Sequence, residues 1–464
     1  MCRPSSFIFS QENVSSFCHR TLLVLPPIRR SASRVTRDLA ISMKPAVIAL
    51  LSGIAALLLN GCGQRQAEAG VAATAKSASP AYLGATYAPT LKKQPSVAAM
   101  TALGRTMFSD PSLSASGKMS CATCHSPEHA FGPPNKLAVQ LGGKEMKALG
   151  TRAVPSLRYI QNVPAFTEHF FDDDGNDSID AGPTGGHNWD GRAPSTHDQA
   201  RIPLLSMHEM GNANAAEVVA KLKKASYAAQ FRANFGEDIF DNQEQAFKWA
   251  LMALEVFQES PAEFYPYNSK YDAFLRRQTQ LSKQELNGLR LFNDTAKGNC
   301  ASCHISEITA SGAFPQFTDY GLIAIGVPRN PHIPANADPT YFDMGLCGPD
   351  RTDLKDKTEY CGRFKTPSLR NVATRQVFFH NGAFTSLEQV LKFYVQRDTQ
   401  PQKWYPRDRD GTVRKYDDLP KEYHGNVNVE APFDRKPGDR PALTDSEIRD
   451  VIAFLKTLND GFHP

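Results

Sequence analysis

Two short motifs of the same form, Cys121-Ala122-Thr123-Cys124-His125 and Cys300-Ala301-Ser302-Cys303-His304, constrain this chain more than any other feature of its 464 residues. Each places two thiols and an adjacent imidazole within about one helical turn. That arrangement can bond both vinyl groups of a c-type haem along one porphyrin edge and present a nitrogen to the iron. The rival is a four-thiolate zinc site built from both pairs, which the cysteine spacing alone would allow. The histidine directly after each pair argues for haem, so two covalently bound c-type haems are expected.

The chain around the motifs reads as helical. Apolar periodicity predicts helices over residues 96–108, 215–235, 243–258, 282–293, 386–397 and 445–459. Ser282 with Glu285, Thr385 with Glu388 and Thr444 with Glu447 read as capping boxes. Strand signals are weak, and the connections are long and rich in Pro and Gly. The expected fold is mainly α: two tandem cytochrome c-like haem domains with long loops and little β. Each motif follows a helix with a similar end, Leu103-Gly104-Arg105 to Phe108 and Leu289-Arg290-Leu291-Phe292. The expected domains are residues 90–280 and 281–464.

The N-terminal region is read separately. Met43-Lys44 precedes an apolar run from Pro45 to Leu59, too short to span a bilayer comfortably and typical of an export signal. It ends in Leu59-Asn60-Gly61-Cys62, which resembles the bacterial lipobox whose cysteine is lipidated. Residues 1–42 are expected to be an upstream extension, 43–62 a lipoprotein-type signal peptide and 63–89 a flexible tether. The folded part would then lie in the periplasm, lipid-anchored, with simple secretion as the alternative. Residues 1–62 hold seven Lys/Arg against two acids, so the formal charge of +4 becomes about −1 for the remainder. A nucleic-acid partner has no electrostatic support. Of nine cysteines, Cys2, Cys18 and Cys62 lie in this region and four in the motifs. Cys347 and Cys361 remain, and an oxidising compartment favours a disulfide between them over two buried thiols.

An ordered set of phrases follows the first motif: His187-Asn188-Trp189-Asp190-Gly191-Arg192-Ala193, Gln199-Ala200, Pro203-Leu204 and Met207-His208-Glu209-Met210-Gly211. After the second come Phe364-Lys365-Thr366-Pro367-Ser368-Leu369-Arg370-Asn371, Phe379-His380-Asn381-Gly382 and Leu387-Glu388-Gln389. From about Leu103 to the C-terminus this set resembles the bacterial diheme cytochrome c peroxidase superfamily. The resemblance implies that the haem on His125 meets peroxide and that the haem on His304 transfers electrons. Glu209 matches a distal glutamate able to carry a proton between peroxide oxygens. Gln199 resembles a distal amide that would hydrogen-bond the bound oxidant, and Trp189 matches a tryptophan between the haems. The plainer readings are a surface acid, a helix-surface amide and a packing indole.

Two departures point to the MauG-like branch of that superfamily. Ordinary members carry a distal histidine before the Arg-x-x-Pro stretch. Between His125 and Arg152 this chain has only His129, one helical turn past the ligand, so the first haem is expected to be five-coordinate. Tyr394 stands where ordinary members place a methionine ligand, and a phenolate would offset positive charge on high-valent iron. Tyr394 also belongs to an apolar stripe with Leu387, Val390, Leu391 and Val395, so a core role is the alternative, with Met344 as the fallback ligand. The superfamily's calcium, held by one Asn side chain and two backbone carbonyls, would map onto Arg375 and Val377. Its Asn position is Ala153. The acidic run Asp172 to Asp177 reads as a solvated loop or a cation site.

The resemblance therefore implies a diheme peroxidase that reacts with hydrogen peroxide at the N-terminal haem. It would store oxidising equivalents over both haems, up to a shared Fe(IV) level. A small redox protein, either a cytochrome c or a copper protein, or a protein substrate would be oxidised. The alternatives are an ordinary cytochrome c peroxidase that detoxifies peroxide, and a diheme electron carrier with both irons fully ligated.

Overall fold

A computed structural model describes residues 93–171 and 180–464. The leader, the lipobox, the tether and the acidic run from Asp172 lie outside them. The longer helices are α1 (Val97–Phe108), α2 (Thr196–Leu205), α3 (Ala215–Leu222), α4 (Ala228–Phe235), α5 (Gln243–Gln258), α6 (Lys270–Leu275), α7 (Lys283–Asn293), α8 (Leu387–Gln396) and α9 (Asp445–Lys456). The strands are short: β1 (Leu141–Gly142) pairs antiparallel with β2 (Ala148–Leu149), and β3 (Leu322–Ile323) with β4 (Phe364–Lys365). The fold is mainly α, and among the described residues no helix is long and apolar enough to cross a membrane.

Two apolar clusters organise the molecule. One gathers buried residues from Met100 to Phe264 and the other from Tyr271 to Leu458, so they part between α5 and α6. Each is built on a helix crossing that requires glycine. A Cβ on Gly104 of α1 would lie 1.9 Å from the Ala253 carbonyl oxygen of α5, and one on Gly288 of α7 would lie 2.0 Å from that of Asp450 on α9. Only a residue without a side chain permits this approach. Phe108 and Phe292, each four residues past its glycine, are buried below the crossing. The internal repeat therefore aligns Gly104 with Gly288, not Leu103 with Leu289.

Several element boundaries differ from expectation for local reasons. The predicted helix 215–235 is two helices, because in one continuous helix Leu222 and Phe231 would fall on opposite faces. The break lets both enter the same cluster. The boxes of Ser282 with Glu285 and Thr444 with Glu447 are present, whereas α8 is capped one residue later than expected, by Ser386. Gln389 instead accepts from the Thr385 N–H at 3.0 Å. Helix α2 was not anticipated, since it carries Pro203 and little apolar periodicity. Ser195 starts it by accepting from the Asp198 N–H at 3.1 Å. Cys347 and Cys361 form the expected disulfide.

Candidate functional site: two cavities sharing one tryptophan

In each half, the loop after the Cys-x-x-Cys-His motif places a phenylalanine in the left-handed region, Phe131 at φ 53° and Phe317 at φ 55°. A non-glycine residue there stores about 1–3 kcal/mol of strain. The conformation turns a carbonyl onto the imidazole: His125 Nδ1 lies 3.0 Å from the Phe131 oxygen, and His304 Nδ1 lies 2.9 Å from that of Phe317. With Nδ1–H donating, the Nε2 lone pair is left for a metal. Burial pulls both imidazoles down to about 4 against these hydrogen bonds, so both are neutral.

A second repeat supports the same carbonyls. Pro155-Ser156-Leu157-Arg158 and Pro367-Ser368-Leu369-Arg370 are identical phrases. The Leu157 N–H donates to the Phe131 oxygen at 3.2 Å, and the Leu369 N–H to that of Phe317 at 3.3 Å. The Ser156 and Ser368 hydroxyls each donate at 2.6 Å to the carbonyl one residue before that phenylalanine, Ala130 and Gln316. The repeated tetrapeptide is visible in the sequence, where it recurs once after each haem motif, though at different distances.

The N-terminal cavity has a volume of about 300 Å³ and is lined by Cys121, Cys124 and His125 on one side and by Arg192, Gln199, His208 and Glu209 among others. Glu209 sits in a turn after α2 that two backbone bonds close, Met210 N to Pro203 O at 3.0 Å and Gly211 N to Ser206 O at 2.9 Å. The β1 end clamps this turn. Gly143 N donates to the Glu209 oxygen at 2.7 Å, and a Cβ on Gly142 would lie 2.2 Å from the His208 oxygen. Glu209 is exposed along the cavity, yet the protein crowded around its carboxyl raises its pKa, against a Ser206 hydrogen bond and the Arg192 charge. Gln199 donates weakly to Asn188 Oδ1 at 3.4 Å and lines both cavities. His129 does not line this cavity; its Nδ1 lies 3.0 Å from the Ser126 hydroxyl. His208 does, although it follows Arg152 in the chain.

The C-terminal cavity, about 270 Å³, is lined by Cys300, Cys303, His304, Tyr394 and His380 among others, and Met344 is not on its wall. Tyr394 comes from α8 and stacks on Phe433, centroids 5.4 Å apart at 27°. Burial raises its hydroxyl pKa above the usual tyrosine value and the Cys303 and Cys300 thiols add to this, while the Arg397 charge opposes. Arg397 is fully buried and packs 3.8 Å from the Phe433 centroid. His380 stacks on Phe364 with centroids 3.5 Å apart, and burial holds it near 4.

Trp189 lines both cavities. Its indole is buried, and its neighbour Asp190 is held by Arg152 at 2.6 Å, which also grips Asp343 through two bonds of 2.6 and 2.7 Å. Burial raises Asp343, but Arg152 outweighs it and leaves that carboxyl below its usual value. The lattice joins chain segments from both sides of the shared tryptophan.

The donor set fits haem. Each cavity holds its neutral motif histidine and two thiols that burial pushes to about 12, or to about 11 for Cys303, so none is a ready thiolate. The two cysteine pairs line separate cavities, and among the described residues no three His, Cys, Asp or Glu side chains group into a metal site. This removes the four-thiolate zinc alternative. At the candidate calcium position, Ala153 offers no side-chain donor. The Arg375 guanidinium donates to the Val154 carbonyl at 3.1 Å, and burial lowers its pKa to about 10 with no carboxylate beside it among the described residues. A buried cation there opposes a second one, and Val377 is wholly buried.

A family described as di-haem cytochrome c peroxidase matches residues 98–280. The chain is 33% identical over 384 residues to the methylamine utilization protein MauG of Paracoccus denitrificans, covering 79% of this chain and 90% of that protein. It is 27% identical over 316 residues to the cytochrome c peroxidase Ccp of Escherichia coli, covering 66% of this chain and 55% of that one. Its structure is similar to that of the diheme peroxidase BthA from Burkholderia thailandensis, with a TM-score of 0.69 and 40% identity over 78% of this chain and 86% of that one.

Proposed function

Because the chain belongs to the di-haem cytochrome c peroxidase family and is thus a two-haem peroxidase, an oxidoreductase, we propose that it works in the MauG-like manner. Oxidising equivalents taken from hydrogen peroxide at the N-terminal site would be shared with the C-terminal site, the two bound haems supplying the high-valent storage. The observation that carries this reading is the placement of Trp189 on the walls of both cavities, with Glu209 in the cavity of His125 and Tyr394 in that of His304.

When bound through Cys121, Cys124, Cys300 and Cys303, the haems supply the redox chemistry, and the chain's own residues do the rest. His125 and His304 would each supply an imidazole to an iron, and Tyr394 would supply a phenol oxygen to the second. The Glu209 carboxyl, with its raised pKa, takes a proton from one peroxide oxygen and returns it to the other. Gln199 orients the oxidant. Trp189 divides one long electron transfer into two shorter ones. Calcium has no part in this proposal, because Arg375 already supplies a cation near Ala153. The product of the reaction is an oxidised small redox protein, a cytochrome c or copper protein, or a modified protein side chain. The site of action is the periplasm, with Cys62 as the lipid anchor.

The ferric holoprotein is expected to show one high-spin and one low-spin haem by electron paramagnetic resonance, and to react with peroxide without prior reduction. Glu209→Gln should slow that reaction by about 100- to 10,000-fold and leave the ferric spectrum intact. Two low-spin haems inert to peroxide would overturn the enzymatic reading. One observation favours a second reading, an ordinary peroxidase closed in its resting state: His208 lines the N-terminal cavity. Peroxide activity that appears only after half-reduction would establish it.

A further inference from the structure

Tyr159 belongs to neither haem motif, is 1% exposed and lines the cavity of His304 and Tyr394. Its hydroxyl donates to Asp460 Oδ1 at 2.6 Å and accepts from the Tyr267 N–H at 3.0 Å. The other oxygen of Asp460 is taken by Arg158 at 2.8 Å and Asn371 at 2.6 Å, so the carboxylate is fixed with Oδ1 turned to the phenol. On the ring side, the Arg370 guanidinium lies 4.5 Å from the Tyr159 centroid.

We propose that Tyr159 is a redox-active side chain that gives one electron to the oxidised C-terminal haem site while its phenolic proton passes to Asp460. The O–H bond breaks, Asp460 becomes a carboxylic acid, the haem site is reduced by one equivalent and a neutral tyrosyl radical remains. The inference rests on the peroxide reading for its oxidant.

Coupling of proton to electron follows from the surroundings. A cation radical would face the Arg370 charge across the ring in a buried setting, where like charges repel strongly. The proton must therefore leave with the electron, and a carboxylate at 2.6 Å is in place to take it. Burial also raises the Tyr159 hydroxyl pKa, so the side chain enters the step as a protonated phenol. Two other tyrosines sharpen the assignment. Tyr320 lines the same cavity, but among the described residues its buried hydroxyl has no hydrogen-bond partner to act as a base. Tyr227 donates to Asp110 at 2.6 Å in the same way, but lines neither cavity.

The test uses the full holoprotein, rapidly frozen after stoichiometric peroxide and read by electron paramagnetic resonance. The wild type should show a tyrosyl radical whose hyperfine splitting collapses when its tyrosines are ring-deuterated. Tyr159→Phe should lose that signal with haem content and ferric spectrum unchanged, and Tyr227→Phe should keep it. Asp460→Asn, which still accepts a hydrogen bond but not a proton, should slow radical formation and abolish its solvent deuterium isotope effect. A radical of undiminished amplitude in Tyr159→Phe overturns the proposal, as does an isotope effect unaltered in Asp460→Asn. The haem absorption bands report separately whether peroxide has reacted. Should they not move, flash-quench oxidation of the same holoprotein with a ruthenium tris-bipyridine photo-oxidant replaces peroxide, and the same comparison of variants decides for or against Tyr159.

Discussion

The indole N–H of Trp189 donates to the Ala153 carbonyl at 2.8 Å, and the N–H of Ala153 in turn donates to the His380 carbonyl at 2.7 Å. The ring between the two cavities is thus hung on backbone that also leads into the C-terminal cavity wall. Trp189→Phe removes the donor and strands a buried carbonyl, which costs about 1–3 kcal/mol. The midpoint of denaturant unfolding should fall accordingly, with both haems retained. After peroxide, the oxidised signature should be confined to one haem. A shared signature surviving in Trp189→Phe would reduce the residue to a packing role.

The helix crossings make a second prediction. Gly288→Ala places a methyl 2.0 Å from the Asp450 carbonyl oxygen, a backbone atom that cannot swing aside. Overpacking of this kind costs roughly 1–3 kcal/mol, and the helices can relieve it only by separating beneath the haem motif. Gly104→Ala should behave alike in the first half. Gly425→Ala, which meets nothing within 4 Å, is the control and should stay within about 0.5 kcal/mol of the parent in thermal or chemical unfolding.

These glycines also show what could be read in the chain beforehand. The haem motifs were legible because thioether chemistry demands contiguous residues, and the long helices because one buried stripe repeats every turn. The roles of Gly104 and Gly288 were not, since the meaning of a helical glycine depends on which backbone crosses it. Helix α2 escaped because Pro203 and its polar residues hide a helix held by the Ser195 cap and the Glu209 turn. The Phe131 and Phe317 carbonyls carry no side-chain signature at all. The place of His208 on the cavity wall has no local signature either, because it is set by the Gly142 clamp, far away in sequence.

His208 carries the third prediction. It lines the N-terminal cavity next to Glu209, is exposed along it and so has room to move. In the open-site reading, His208→Ala leaves the high-spin signal of the resting ferric protein unchanged. In the closed-site reading, the same change converts a low-spin haem to high-spin and lets peroxide react without prior reduction. The resonance spectrum of the variant therefore separates the two, whatever its effect on turnover.

Arg370, at the end of the second Pro-Ser-Leu-Arg phrase, makes two hydrogen bonds of 2.9 Å to Asp272 of α6, and both side chains are almost wholly buried. Burial alone would raise the Asp272 carboxyl, but the Arg370 hydrogen bonds and charge outweigh it and leave the pKa below the usual value. A carboxyl depressed by folding stabilises the folded state above its unfolded pKa of about 3.9, and that contribution is lost as pH falls through the folded value. Protonation would break the pair and leave a buried guanidinium without its partner. Arg370→Met should cost about 3–5 kcal/mol at neutral pH, because it strands the carboxylate instead. Asp272→Asn should be less stable than the parent at pH 7 yet lose less on acidification, so their unfolding midpoints converge below about pH 4. Parallel profiles would show that the pair does not set the acid sensitivity of this domain.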